Sequence, residues 1–314
     1  MRIVFMGTPE FAVASLQKLH ESELEIAAVV TAPDKPAGRG RKLQASAVKE
    51  YAQLQDLPVL QPTNLKSAAF QEALREFGAQ VFVVVAFRML PHTLWSIPPK
   101  GTFNLHASLL PHYRGAAPIN WAIINGETET GLTTFLIDRE IDTGKLLLQE
   151  RVPLPEDFDA GQLHDVLKER GAALVLETCR GLRDGSLNPQ PQPTGGEFKA
   201  APKLFTADCQ VNWQQPAKTV YNFIRGLSPY PLAWSTLDGK RMKFYKPLGY
   251  ANRGELLPGA RPGSFDLRQG GELWVKAGEG IVRLNHLKME GKKRMPAEEL
   301  FRGYTPEEKQ FSTT

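Results

Sequence analysis

Polar side chains suited to acid–base chemistry occur in two short stretches of the chain. Asn104 and His106 are two positions apart at the end of an apolar run, so on an extended strand both side chains face the same way. Asp142 follows further along the chain, beside Thr143 and Gly144. An amide, an imidazole and a carboxylate could polarise a carbonyl, carry charge and orient one another. Because no nucleophilic Ser or Cys motif accompanies them, we expect group transfer between two bound substrates without a covalent enzyme intermediate.

Each of these residues taken alone has a simpler structural explanation. Asn104 and Asp142 could cap turns, and His106 could be a satisfied polar residue at a strand end. Three such groups at one edge of a sheet favour chemistry, because burying unpaired polar groups is costly and function is a common reason for doing so.

The first half of the chain alternates strand and helix patterns. This alternation predicts an α/β domain with a Rossmann-like, doubly wound, mostly parallel sheet. Residues 81–85 are apolar at every position, as expected of a central strand covered on both faces. Ligands of such sheets bind beyond the carboxyl ends of the strands, so we expect one cleft there. The loops predicted to line it are Phe87–Pro91, His106–Pro111 and Asp138–Gly144.

The composition changes in the second half. Residues 188–196 are rich in Pro, Gln and Gly, which predicts a linker that is extended at the prolines and flexible at the glycines. Short β patterns follow, punctuated by Pro and Gly, and they predict a small β-barrel of the oligonucleotide-binding (OB-like) type. We therefore expect a catalytic domain at 1–187, a linker at 188–204 and a β-barrel domain at 205–314. Helices are predicted at 45–54, 65–77, 164–182 and 216–225, and strands at 102–106, 132–137, 233–237, 242–247, 272–277 and 280–287.

Bulk properties limit the class of protein. The chain has 314 residues, 42% of them hydrophobic and 23% charged, which is ordinary for a globular protein with two cores. No segment has the apolar length of a membrane span, and the N-terminus does not resemble a signal peptide, so we expect a cytoplasmic protein. The net charge of +4 is small, so any polyanion site must come from local clusters. No Cys or His spacing is typical of a metal site, and no metal is expected.

Two local clusters of basic residues are present. Residues 34–43 read DKPAGRGRKL, and their Gly and Pro content predicts a loop without regular structure. A solvated surface loop is the simpler interpretation, but its place after a predicted strand and its density of Arg and Lys suit a phosphate backbone. Together with a second cluster and a small β-barrel, it favours nucleic acid as a partner. The candidate residues are Lys35, Arg39, Arg41, Lys42, Lys288, Lys292, Lys293 and Arg294.

Two other segments allow more than one interpretation. Arg114 and Gly115 could form a tight turn into a helix, or could meet an anion and let a ligand approach the backbone. The apolar residues of Phe87–Leu90 could belong to the core, or the loop backbone could edge a flat heterocycle. The G-x-G-x-x-G pattern of dinucleotide-binding proteins is absent after the first strand, which disfavours an NAD-dependent dehydrogenase.

Five separated motifs stand out along the chain: Phe5–Phe11, Gly38–Leu43, Asn104–Pro111, Tyr113–Ile119 and Asp142–Gly144. With them, the chain resembles the folate-dependent formyltransferases along nearly its whole length. The resemblance to the branch that acts on tRNA comes from the basic loop and from the C-terminal Trp213, Ile224-Arg225 and Pro229-Tyr230-Pro231. One departure is a segment at Ala86–Pro91 that is one residue shorter than the family's, with Arg88 in place of a Gly.

The resemblance implies a reaction and a set of site residues. The formyl group of 10-formyltetrahydrofolate would pass to the amino group of methionine carried by initiator tRNA. The reaction would need no metal, and we expect the protein to be a monomer. Asn104, His106 and Asp142 fall on the family's catalytic positions. The residues expected to contact the folate are Phe87, Arg88, Met89, Leu90, Ser108, Leu109, Leu110, Pro111, Asp138 and Ile141.

We therefore expect a direct attack of the amine on the formyl carbon. Asn104 and a protonated His106 would donate hydrogen bonds to the resulting oxyanion, and Asp142 would keep His106 charged and oriented. Two alternatives remain open. One is a folate-dependent formyltransferase for a small amine, such as an amino sugar or glycinamide ribonucleotide, which would not need the basic loop. The other is a non-catalytic RNA-binding protein, which the presence of all three polar residues disfavours.

Overall fold

The computed structural model of the protein describes residues 1–37, 42–252 and 259–312. Among these residues, strands alternate with helices in the first half and predominate in the second. The strands are β1 (Arg2–Gly7), β2 (Glu25–Val30), β3 (Lys35–Ala37), β4 (Lys42–Gln44), β5 (Val59–Leu60), β6 (Val81–Val85), β7 (Thr102–His106), β8 (Arg114–Gly115), β9 (Glu129–Leu136), β10 (Leu146–Pro153), β11 (Ala200–Ala201), β12 (Ala233–Leu237), β13 (Lys240–Phe244), β14 (Gly249–Ala251), β15 (Phe265–Leu267), β16 (Leu273–Lys276), β17 (Ile281–Leu284), β18 (His286–Met289) and β19 (Met295–Pro296).

The helices differ widely in length. Ser46 caps the second helix, because its hydroxyl accepts a hydrogen bond from the Lys49 backbone amide at 3.1 Å. None of the helices formed by the described residues combines the length and the apolar composition that crossing a membrane requires. The helices are α1 (Glu10–His20), α2 (Ala47–Leu54), α3 (Ala68–Glu76), α4 (His92–Trp95), α5 (Pro118–Ile124), α6 (Ala160–Asp184), α7 (Ala217–Gly226) and α8 (Ala297–Arg302), with a 3₁₀ turn at Ala207–Cys209.

The chain divides into two compact units, each made of segments that are not contiguous in sequence. The first comprises Met1–Gly115, Thr130–Val152 and His164–Ala200. The second takes in α5 and residues 153–163 as well as the C-terminal part. This assignment of non-contiguous segments to the two units was not expected from the sequence. The sequence predicted that one linker at 188–204 divides the chain, and that division stays a prediction.

A seven-stranded sheet forms the centre of the first unit, in the order β10-β9-β7-β6-β1-β2-β5. Strands β5, β2, β1, β6 and β7 run parallel, and β9 runs antiparallel to β7. All five residues of β6 are buried, as the uninterrupted apolar run predicted. The predicted α/β class and the mostly parallel sheet are confirmed.

The second unit is rich in strands, as predicted. Its strands form two four-stranded sheets, in the orders β12-β13-β18-β19 and β14-β17-β16-β15. Trp213, Phe244 and Phe311 lie fully buried in its core, with ring centroids 5.1 to 5.8 Å apart. The prediction of a strand-rich C-terminal domain is therefore confirmed. The residues that the structure describes in this unit do not show the closed barrel that was also predicted.

Candidate active site

Strand β7 carries the first two polar residues of the site. The side chains of Asn104 and His106 lie on the same side of the strand, since they are two residues apart. His106 is buried, whereas Asn104 is half-buried. Within the described part of the chain, the Asn104 amide has no hydrogen-bond partner. It is therefore free to donate to a bound molecule.

One ring nitrogen of His106 is fixed by the backbone. Its Nε2 lies 2.8 Å from the carbonyl oxygen of Tyr113. Because a carbonyl oxygen only accepts, Nε2 carries the hydrogen. Tyr113 has a φ of +61°, in the left-handed region. The other nitrogen, Nδ1, is left for chemistry, and Asp142 lies on its side of the ring.

The Asp142 carboxylate is oriented by a backbone amide. Its Oδ2 accepts a hydrogen bond from the Gly115 N–H at 2.9 Å and lies 3.8 Å from His106 Nδ1. The second distance exceeds a hydrogen bond, so the two side chains face each other without direct bonding. Asp142 has a φ of +56°, a conformation that non-Gly residues rarely adopt. No cluster of three or more His, Cys, Asp or Glu among the described residues could hold a metal ion.

The expected reason for this proximity is wrong. We predicted that Asp138–Gly144 would join the cleft at a shared carboxyl edge, as the loop after a parallel strand. Because β9 is antiparallel to β7, its end at Leu136 pairs with Phe103 near the start of β7. Asp138 is exposed there, and among the described residues its carboxylate accepts only from the backbone amide of Arg139. The loop itself must bring Asp142 beside His106.

Gly144 explains how that loop can fold. A Cβ at this position would lie 1.6 Å from the Leu136 carbonyl oxygen, so no other residue could pack so closely against the end of β9. The Asp-Thr-Gly motif thus combines a carboxylate in a left-handed conformation with a close backbone approach.

The predicted folate segment 108–111 has both structural and accessible members. Ser108 is fully buried, and its hydroxyl donates to the His112 carbonyl at 2.6 Å. The Leu110 backbone accepts from Gln149 at 2.9 Å, and Pro111, which follows a cis peptide bond, is buried. Leu109 and Leu110 also line an open cavity of about 690 Å³, a size typical of small-molecule sites. The other lining residues are His112, Gln149, Glu150 and Arg151.

The Phe87–Leu90 segment divides similarly. Leu90 is buried in the core and Phe87 packs against that core, which fits the structural interpretation for both. The Arg88 guanidinium donates to the Pro62 carbonyl at 2.8 Å. Met89 is 70% exposed, and Ile141, in the Asp142 loop, is 59% exposed. These two apolar side chains are accessible to a ligand.

The first basic cluster is more regular than expected. Residues Lys35–Ala37 pair antiparallel with Lys42–Gln44, so the prediction of a loop without regular structure is wrong for these two segments. Lys35 is exposed, and the next residue back, Asp34, is bound by Lys49 at 2.6 Å and by Gln61 at 2.8 Å. These hydrogen bonds hold the pKa of the Asp34 carboxyl below its ordinary value. Arg39 and Arg41 lie outside the described residues.

The second basic cluster belongs to a larger surface. The predicted residues Lys288, Lys292, Lys293 and Arg294 are all exposed. Lys243 pairs directly opposite Lys288. The guanidinium of Arg241 lies 4.5 Å from the ring centroid of Trp234, and that of Arg294 lies 4.3 Å from that of Tyr245. We call the following residues the basic face: Trp234, Arg241, Lys243, Tyr245, Lys288 and Arg294.

Sequence comparison covers both halves of the chain. A family model described as formyl transferase matches residues 1–179, and one described as formyl transferase, C-terminal domain, matches residues 203–305. The chain belongs to the formyl transferase family. Enzymes of this family use a folate-derived donor.

Relatives in this family match over nearly the full length. A methionyl-tRNA formyltransferase from Bacteroides fragilis is 48% identical over 315 residues, covering 97% of this chain and 95% of its own. One from Flavobacterium johnsoniae is 45% identical over 314 residues, covering 97% of this chain and 96% of its own.

Solved structures share the fold at low identity. HypX from Aquifex aeolicus, in complex with tetrahydrofolic acid, has a TM-score of 0.67 and 20% identity over 96% of this chain. The match covers 47% of the HypX chain, so this chain spans about half its length. The sugar 3N-formyl transferase WlaRD has a TM-score of 0.64 and 19% identity, covering 93% of this chain and 99% of that one.

Several contacts around the candidate site were not predicted from the sequence. The Tyr113 carbonyl binds His106 and the Gly115 N–H binds Asp142. Contacts of backbone groups cannot be predicted from residue types, because every residue has these groups. Arg114 and Gly115 form the short strand β8, and the Arg114 guanidinium donates to Gln192 at 2.5 Å. On the basic face, Arg241 and Lys243 alternate with buried residues, and this period of two was a usable signal.

Proposed function

We propose that the chain transfers the formyl group of 10-formyltetrahydrofolate to the amino group of methionine on initiator methionyl-tRNA. The proposal rests on the sequence identity of 45–48%, over nearly the full length, with relatives named methionyl-tRNA formyltransferase. The juxtaposition of Asn104, His106 and Asp142 supports it, since acyl transfer needs donors for an oxyanion and an acceptor for a proton. We place this reaction in the cytoplasm and assign it to a monomer.

Asn104 would stabilise the developing negative charge. The methionyl amine, as free base, attacks the formyl carbon on N10 of the folate, forming a new C–N bond and an oxyanion. The Asn104 amide, without a partner among the described residues, would donate to that oxygen. Donors aimed at developing charge in a water-poor site contribute strongly to catalysis.

His106 would donate from Nδ1. Its Nε2 is committed to the Tyr113 carbonyl, so a protonated ring can reach the oxyanion only through Nδ1. Asp142, 3.8 Å from Nδ1, would orient the ring and, directly or through water, accept the proton that the amine loses. As the oxyanion collapses and the bond from N10 to the formyl carbon breaks, the proton taken from the amine passes on to N10, which completes the transfer.

The basic residues support tRNA as the carrier of the acceptor. On the basic face, Lys243 and Lys288 stand directly opposite each other, where like charges repel unless an anion intervenes. Aromatic rings beneath Arg241 and Arg294 add surfaces on which bases can stack. We propose that this face and the basic segment from Lys35 to Lys42 contact the phosphate backbone of the tRNA. We also propose that the linker at 188–204 separates a catalytic domain at 1–187 from a tRNA-binding domain at 205–314.

Formyl transfer to methionine on initiator tRNA, compared with methionine on elongator tRNA, tests the proposal. We expect transfer to the initiator species, dependent on 10-formyltetrahydrofolate. Absence of transfer to either tRNA by a folded protein would contradict the proposal, and efficient formylation of an amino sugar nucleotide instead would support the small-amine alternative.

A further inference from the structure

The segment at 188–197 is less linker-like than its composition suggests. The structure describes all ten of its residues, and only Gln192 among them is buried. The backbone of Gln190 also exchanges two hydrogen bonds with Leu146, at 2.7 and 2.9 Å. The segment is thus anchored to the first unit beside the loop that carries Asp142.

Gln192 uses both ends of its amide on that loop and its neighbour. Its Nε2 donates to the carbonyl of Asp142 at 2.8 Å and to the carbonyl of Gly144 at 2.9 Å. Its Oε1 accepts from the Arg114 guanidinium at 2.5 Å. A neutral amide donates through its nitrogen and accepts through its oxygen at once, and Gln192 uses both functions here.

These contacts complete a ring around Asp142. The Gly115 N–H binds the carboxylate, and Arg114, the preceding residue, holds Gln192 against the Asp142 carbonyl. Asp142 needs such support because its φ of +56° is unfavourable for a non-Gly residue. Loss of the Gln192 bonds would release the Asp142 backbone, and the carboxylate, although still bound by the Gly115 N–H, would lose part of the support that keeps it facing His106.

We propose that Gln192 is a positioning residue for formyl transfer, holding Asp142 in the orientation that faces His106. This inference rests on the proposed catalytic role of Asp142. It assigns the Pro- and Gly-rich segment a part in catalysis, in addition to connecting the two halves of the chain.

The test begins with Gln192→Met, which keeps the size of the side chain and removes all three hydrogen bonds. Gln190→Met is the matched control, since the Gln190 side chain is exposed and, within the described part of the chain, bonds only to the Asn188 carbonyl. We expect Gln192→Met to lower kcat by roughly 10- to 100-fold, because small displacements of reacting groups are costly. The KM for tRNA and the Kd for folate should change little, and Gln190→Met should match the wild type.

A second variant separates the two functions of the amide. Gln192→Glu keeps the acceptor for Arg114 but cannot, when ionised, donate to the carbonyls of Asp142 and Gly144. We expect it to lower kcat as much as Gln192→Met. Wild-type kcat in this variant would overturn the inference, and the variant also serves if Gln192→Met fails to fold.

The decisive comparison is made in an Asp142→Asn background under single-turnover conditions. If Gln192 acts through Asp142, adding Gln192→Met there should cause little further loss. Full loss in that background would show a general structural role and overturn the inference. If Asp142→Asn alone leaves kcat unchanged, the proposed role of Asp142 fails first, so the two failures can be told apart.

Discussion

Asn104 and His106 share one side of β7 but have different constraints. The His106 ring is fixed through Nε2, whereas the Asn104 amide is free of partners within the described residues. This arrangement fits a site in which the His106 ring is already oriented in the free protein. The Asn104 amide would find its hydrogen-bond partner when the substrate binds.

Replacing Asn104 tests the oxyanion role directly. We expect Asn104→Ala to lower kcat by roughly 100- to 1000-fold, typical of one lost oxyanion donor, with folate binding little changed. Asn64→Ala is the control, because Asn64 is exposed and its side chain, as far as the structure describes the chain, bonds only to the Lys66 backbone. Steady-state kinetics with near-wild-type kcat for Asn104→Ala would remove the residue from the mechanism.

The site was predictable from the sequence only in part. Residue types and the i, i+2 spacing indicated Asn104 and His106 correctly as neighbours on one strand. The contributions of Tyr113 and Gly115 come from their backbones, and that of Gln192 depends on where a linker packs. Composition carries no information on either kind of contact.

At the scale of elements, strongly patterned segments agreed with the structure. The apolar run at 81–85 coincides with β6, and the helix predicted at 216–225 is α7 at Ala217–Gly226. The direction of β9 could not be read from periodicity, because a strand of either direction has the same alternation. The run at 280–287 is interrupted in the structure, forming parts of β17 and β18.

An ion-pair cluster secures α6 to the turn after α1. Glu23 accepts hydrogen bonds from Arg180 and Arg183 at 2.9 to 3.0 Å. The bond with Arg180, above all, lowers the pKa of Glu23 from 4.5 to about 2. The stabilisation should therefore be fully present above pH 4.5 and be lost as the pH falls towards 2.

Glu23→Gln should expose this pH dependence. We expect its urea midpoint to lie below that of the wild type at pH 7, and the difference to shrink as the pH falls below 4.5, because the carboxylate is then protonated. Glu76→Gln removes an exposed carboxylate that has no ion pair among the described residues and is the control. A difference between wild type and Glu23→Gln that is independent of pH would rule out the ion-pair explanation.

For the whole molecule, the net charge of +4 is too small to attract RNA by a general field. Binding must depend on local surfaces, and the basic face collects charges that lie far apart in sequence. Repulsion between Lys243 and Lys288, which lie directly opposite each other, destabilises the free protein, and a bound phosphate would relieve that repulsion.

Lys243→Gln combined with Lys288→Gln tests this surface. We expect weaker tRNA binding and a salt slope reduced by about 1 to 2, since each lysine releases roughly one counterion. Unfolding stability should be unchanged or slightly higher. The control is Lys18→Gln with Lys66→Gln, which removes the same charge from exposed positions of the first unit. An equal salt slope in both double variants would exclude the basic face from the tRNA site.

The most direct test of the account measures the acceptor. Formyl transfer from 10-formyltetrahydrofolate would be followed in parallel for initiator methionyl-tRNA and for an amino sugar nucleotide, comparing kcat/KM. We predict efficient transfer to the tRNA and none to the sugar, with transfer to the tRNA strongly reduced in Asn104→Ala. A kcat/KM for the sugar that equals or exceeds the value for the tRNA would contradict the account.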